Sequence, residues 1–196
     1  INVPPMLMAF GITTVDAQKG ISPELKYEGN KLYLIKHTPL ANHMPDVEQL
    51  KANWKYVTEQ IEAEKIVSGY ALGFGGVAEA ICKMSFGNGL DAKIEYDEKE
   101  LFSYGYGSIL VEAEGELDYP NAILIGEVTD GEESELTING KTFDIFELMA
   151  VNSGRFAQVY PDTADAYNQK LVPAGLEGVK PYKAKKADLK YKGEPV

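Results

Sequence analysis

The pair Asn139-Gly140 stands between Glu135-Leu-Thr-Ile138 and Lys141-Thr-Phe143. A two-residue type I′ loop needs positive φ at both central residues, and Asn-Gly is the pair that best accepts it. The segment therefore predicts an antiparallel hairpin, which excludes a wholly parallel, doubly wound sheet. Elsewhere, period-two and period-3.6 patterns mix without strict strand–helix alternation. Together these observations predict an α+β fold, a mixed β-sheet with helices packed on it.

Five further stretches read as strands. Lys31 to Lys36 places Leu32 and Leu34 on one face and Tyr33 and Ile35 on the other. Leu90 to Tyr96 and Ser108 to Ala113 follow, then Asn121 to Thr129, in which Gly126 marks a bulge or a close approach. Met6 to Val15 is a nearly continuous apolar run that predicts a strand buried on both faces. Asp97 to Phe102 is compatible with a short helix.

Three longer helices are predicted. Asp46 and Gln49 form a capping-box pair, side chain to backbone in each direction, before the apolar stripe Val47, Leu50, Trp54, Val57 and Ile61. Trp54 is placed in the core by that stripe. Val77, Ala80, Ile81 and Met84 give a second helix, closed by Gly87-Asn88-Gly89. Asp144 and Glu147 repeat the capping pattern ahead of Ile145, Leu148, Met149 and Phe156, with Gly154 able to interrupt.

Composition narrows the function. A net charge of −11 argues against a nucleic-acid polymer or an anionic membrane as partner, since both need a basic face. No apolar run approaches the ~20 residues that span a bilayer. Cys82 is the only cysteine, so no internal disulfide forms and a reducing, cytoplasmic location is expected. Inside a helix it reads as a small buried hydrophobe rather than a nucleophile. His37 and His43 share one loop, but no further ligands stand at metal-site spacing, so no metal site is expected. The acidic groups around Asp91 to Glu100 and Asp130 to Glu135 lack calcium-loop spacing and read as solvated surface. Ile1 in place of an initiator methionine suggests a piece of a longer chain, although processing would look the same.

The stretch that carries chemistry is Gly73-Phe74-Gly75-Gly76, which opens the second helix. Glycines let a ligand approach the backbone, and the free N–H groups of a helix start attract anions. Gly73, Gly75 and Gly76 are therefore candidate backbone contacts to a phosphate. The same glycines could instead serve a packing turn. Ser103-Tyr104-Gly105-Tyr106-Gly107 poses the same choice, with Ser103, Gly105 and Gly107 as weaker candidates.

Gly73 to Phe86, together with Leu101-Phe102-Ser103 and its following glycines, resembles the C-terminal domain of the aminoimidazole-ribotide-synthase superfamily. Val3-Pro4-Pro5, Ile21-Ser22-Pro23-Glu24 and Leu32-Tyr33-Leu34-Ile35 fit the phosphoribosylformylglycinamidine synthase family, and the likeness runs from about Val3 to Pro161. Many members carry Asp-x-Ser-Asp-Gly-Gly where this chain reads Ala71 to Gly76; the glycine pair is kept and the acids are not.

The resemblance implies a domain of an ATP- and glutamine-dependent ligase that converts formylglycinamide ribonucleotide to its amidine in purine biosynthesis. It implies ATP and Mg bound mainly by a partner domain, and a phosphorylated ribonucleotide as substrate. His37 and Thr38 would line the cleft. Residues 1–160 would be the domain, and 161–196, rich in lysine, a linker or arm toward a following glutaminase domain. The isolated fragment would be inactive. Two alternatives stay open: a non-catalytic assembly domain of the same enzyme, or another superfamily member.

Overall fold

The computed structural model describes residues 9–14, 16, 19–131 and 134–155. The chain divides into two compact units, Ile1–Asn152 and Ser153–Val196. The first carries the fold set out below. Val3, Met6, Val15, Phe156 and residues 161–196 lie outside the described residues.

In chain order the elements are β1 (Lys31–Ile35), α1 (Val47–Glu62), β2 (Ile66–Ala71), α2 (Gly76–Phe86), β3 (Asp91–Ile94), β4 (Ile109–Ala113), β5 (Ala122–Thr129), β6 (Glu135–Ile138), β7 (Lys141–Asp144) and α3 (Ile145–Gly154). The strands form one sheet in the order β2-β4-β1-β5-β3-β6-β7. Every neighbouring pair is antiparallel except β3 with β6. The fold is the expected α+β mixed sheet.

Alternation along β1 divides the core in two. Leu32 and Leu34 join a cluster with Val77, Ala80, Ile81 and Met84 of α2 and with Ile145 of α3. Tyr33 and Ile35 pack on the other face with Val57 of α1 and with Ile66 and Val111. A strand buried on both faces must be apolar throughout, which is why these four residues run without a break. Each fully buried leucine contributes about 1.5–3 kcal/mol. The Asn139-Gly140 hairpin is present, with φ of 49° and 73° at the two residues. Gly126 is both a bulge and a close approach. Leu32 faces it while Tyr33 faces Leu124, which leaves Ile125 as the extra residue, and a Cβ at Gly126 would overlap the Lys93 carbonyl.

The structure corrects several expectations. Residues 9–14 form no strand, and Phe10 and Ile12 are 84% and 98% exposed. An apolar run signals burial but does not name the surface that provides it. Trp54 is half-exposed rather than core. The buried side of α1 is turned toward Asn53 and Val57. Asn53 is polar and so escapes an apolar stripe, yet its Nδ2 donates to the Lys36 carbonyl at 3.0 Å, and its Oδ1 accepts from Tyr119 and Asn121. Asp97 to Phe102 is a pair of hydrogen-bonded turns, Glu100 N–H to Asp97 and Ser103 N–H to Glu100, without a helix. The capping box of α1 is half made: Asp46 accepts from the Gln49 N–H, but Gln49 does not return the bond to Asp46. No helix among the described residues is long and apolar enough to cross a membrane.

One buried carboxylate ties the first loop to the sheet. Glu112 of β4 is fully buried and accepts from the N–H groups of Lys26 and Tyr27, from Asn30 Nδ2 and from Ser68 Oγ at 2.7–2.9 Å. Four donors replace the water that a buried carboxylate loses.

Candidate phosphate-binding site

The two glycine loops, 30 residues apart in sequence, form one wall. Leu72 N–H donates to the Ser108 carbonyl, Gly105 N–H to the Gly73 carbonyl, and Ala78 N–H to the Leu101 carbonyl, at 2.9–3.2 Å. Gly76 has φ +63°, and a Cβ there would stand 2.5 Å from the Ser103 carbonyl oxygen. Gly107 has φ +88°, and a Cβ there would stand 2.9 Å from His37 Nδ1. Both positions require glycine for conformation and for close approach. Gly73, by contrast, has no described residue within 4 Å of a Cβ placed there. All six glycine and serine candidates thus lie in one constellation, and packing accounts for Gly76 and Gly107.

The start of α2 is already in contact with an anion from the chain itself. Glu79 Oε2 accepts the Gly75 N–H at 2.9 Å, and its Oε1 pairs with Lys83 Nζ at 2.6 Å. The Lys83 ammonium, and then the Gly75 N–H, hold the Glu79 carboxyl below the usual carboxylate range. Lys83 is raised in turn, first by Glu79 and then by Tyr70, over whose ring it sits at 5.8 Å. A helix start with its partial positive charge favours this arrangement.

Beside the loops lies a cavity of ≈ 60 Å³ lined by Lys36, His37, Tyr96, Ser103, Tyr104 and Ser108 among others. Lys36 Nζ meets Glu100 Oε2 at 2.6 Å, and Tyr96 OH donates to the same oxygen at 3.0 Å. Lys36, followed by Tyr96, holds Glu100 below its usual range. Sequence reasoning missed this trio because Lys36 ends an apolar strand and Glu100 sits in an acidic run. His37 is buried and lines the cavity, while Thr38 donates its N–H to Gln49. His43 is exposed. No group of three or more metal-ligating side chains occurs among the described residues. Burial pushes the Cys82 thiol up, which suits a packing residue rather than a nucleophile.

No protein-family model matches the chain. A curated relative, the phosphoribosylformylglycinamidine synthase subunit PurL of Lactobacillus delbrueckii subsp. bulgaricus, is 30% identical over 109 residues, which is 51% of this chain and 15% of that protein. The chain therefore spans about 15% of the length of the curated relatives it matches. Among solved structures, PurLQS from Thermotoga maritima superposes with a TM-score of 0.54 at 13% identity, covering 67% of this chain and 28% of that one. T. maritima PurL complexed with ATP gives 0.54 at 12%, covering 68% and 28%. In fold the chain is thus like the PurL structures, and over half its length its sequence is similar to the PurL subunit of phosphoribosylformylglycinamidine synthase.

Proposed function

We propose that this chain is a domain of a phosphoribosylformylglycinamidine synthase, the ligase that uses ATP and glutamine-derived ammonia to turn formylglycinamide ribonucleotide into its amidine. The observation that carries the reading is the 30% identity to a PurL subunit over 109 residues. The fold match agrees with it, and T. maritima PurL has been solved with ATP and with FGAR. In this reading residues 1–160 are the domain. Residues 161–196 are the connection toward a glutaminase partner, and the location is cytoplasmic.

Within the domain we place a substrate phosphate at the turn Gly73, Gly75 and Gly76, with Ser103, Gly105 and Gly107 as the facing wall. The phosphate would displace the Glu79 carboxylate from the Gly75 N–H, leaving Glu79 to Lys83. In this reading the metal and most ATP contacts fall to a partner domain. ATP supplies the phosphoryl group that activates the formyl oxygen. This chain's share is to bind and position phosphate through backbone N–H groups.

The polypeptide or complex that carries this chain should turn over formylglycinamide ribonucleotide with ATP and ammonia, while residues 1–196 alone should not. Absence of turnover by the complete assembly overturns the reading. A second reading, an assembly domain of the same enzyme, is favoured by one observation: Glu79 already satisfies the helix start. Gly73→Asp separates the two in the complete assembly. A sharply raised KM for the ribonucleotide supports the phosphate site, and unchanged kinetics support assembly.

A further inference from the structure

The outer edge of β2 is open. β2 ends the sheet, with β4 as its one neighbour among the described strands. Leu72 N–H bonds to the Ser108 carbonyl, one step beyond the Ala71–Ile109 pair, and bonded pairs alternate along an antiparallel ladder. The N–H and C=O groups of Gly69 and Ala71 therefore point away from β4. A row of such groups is a template for one more strand.

A cavity of ≈ 470 Å³ adjoins the start of this edge. Ile21, Ile61, Ile66 and Val67 supply its apolar lining, among charged residues that include Lys26 and Glu62. Ile66 and Val67 belong to β2 itself, so a strand added to that edge would pass the recess. An open edge with a recess beside it is how a sheet takes an extended segment: main-chain bonds hold it, and the recess selects a side chain.

The chain carries a segment of matching kind. Residues 9–14, Ala-Phe-Gly-Ile-Thr-Thr, are six like β2, hold no charge and end in three β-branched residues. Phe10 and Ile12, two apart and so on one face of a strand, are 84% and 98% exposed. Asp16 and Lys19, just after this segment, stand in the cavity wall, and Lys19 Nζ is fastened to Glu62 at 3.1 Å. With its near end held in that wall and Ile12 still in water, the segment runs out of its own cavity. The edge that can receive it is that of a second copy.

We propose that residues 9–14 of one copy add a strand to the outer edge of β2 in a second copy, with Phe10 and Ile12 turned toward the recess. The exchange is reciprocal. Two segments and two edges satisfy one another about a two-fold axis, so assembly stops at the dimer. The chain's net charge of −11 opposes association, and a segment without charge is the part best able to approach; added salt screens the repulsion. The surface uses none of the glycine-loop residues, so it stands or falls apart from the synthase reading.

Sedimentation equilibrium of the full chain, joined to hydrogen exchange at the Gly69 and Ala71 amides, tests this. A dimer is expected that strengthens with salt and slows both amides as the chain concentration rises. Ile12→Asp alters a side chain that is exposed in the single copy, so the variant should fold as the parent does and dimerise at least about tenfold more weakly. Ala71→Pro removes an N–H that bonds nothing within the ladder and should weaken the dimer likewise. If that proline variant fails to fold, Ile12→Asp carries the test. Mixing the two variants should restore a heterodimer, because one brings an intact edge and the other an intact segment. A chain that stays monomeric at every concentration overturns the proposal. So does amide protection that ignores concentration, which would mean that the segment closes on its own edge. A dimer that survives Ile12→Asp unchanged overturns it as well, because its interface lies elsewhere.

Discussion

His37 Nε2 accepts the N–H of Asp46 at 3.1 Å, so a histidine at the exit of β1 closes the start of α1. Gln49, which would normally return that bond, instead accepts the Thr38 N–H at 2.7 Å. With Nε2 accepting, Nδ1 must carry the proton, and it faces the Tyr106 carbonyl at 3.1 Å. One neutral tautomer thus joins β1, α1 and the second glycine turn.

His37→Leu should remove both bonds and leave a part-buried N–H and a part-buried carbonyl without them. The expected loss is about 1–3 kcal/mol, read as a lowered urea midpoint with an unchanged slope. Ring ¹⁵N shifts of the parent should report the Nδ1–H tautomer. An Nε2–H ring, or a variant as stable as the parent, would remove this role for His37.

Glu112→Gln tests the buried carboxylate. One oxygen accepts from the Lys26 N–H and Ser68 Oγ, the other from the Tyr27 N–H and Asn30 Nδ2. Both therefore face a backbone donor, and an amide NH₂ can replace neither. A cost of about 1–3 kcal/mol is expected by thermal or urea unfolding. Ser68→Ala should cost less, because it leaves the three nitrogen donors in place.

The elements that read correctly from sequence are those whose signal is local. The β1 alternation, the Asn139-Gly140 turn, the Asp46 cap and the α2 stripe each depend on neighbours within a few residues. The failures depend on partners far along the chain. Trp54 and Asn53 exchange expected places because Tyr119 and Asn121 offer bonds that only the folded chain brings near. Ile66–Ala71, the edge strand β2, carries Ser68 and Gly69 in its middle and gave no clear alternation. The glycines of the candidate site were visible as composition. That Glu79 caps the first of those loops, and that Lys36 and Glu100 pair beside the second, required the contacts themselves.

Glu79 gives a pH dependence with a defined sign. Its folded-state pKa lies below the ordinary value, so its stabilisation is present above that ordinary value and is lost as pH falls through the lowered one. Glu79→Gln should therefore flatten the acid limb of the stability curve while changing stability near neutrality by less than about 1 kcal/mol, because the group is part-exposed. Parallel acid limbs for parent and variant would show that the Gly75–Glu79–Lys83 chain of contacts contributes nothing in solution. If phosphate competes for the Gly75 N–H, the variant should also bind ribose 5-phosphate more tightly than the parent.

Gly73 and Gly76 separate packing from binding within a single turn. At Gly76 an alanine would be forced into φ +63° with its Cβ 2.5 Å from the Ser103 carbonyl oxygen, and that oxygen belongs to backbone that cannot turn aside. Gly76→Ala should cost at least about 1–3 kcal/mol and loosen the contact between the two loops. At Gly73 no described residue lies within 4 Å of the added methyl, and its φ is outside the left-handed region, so Gly73→Ala should be neutral or stabilising by about 0.4–1 kcal/mol through the unfolded chain. The same methyl points into the space where the phosphate is placed. A Gly73→Ala assembly that is as stable as the parent but needs more ribonucleotide to reach half-maximal rate would locate binding at this turn. One that is equally stable and kinetically unchanged would mean that the glycine there serves the chain and no ligand.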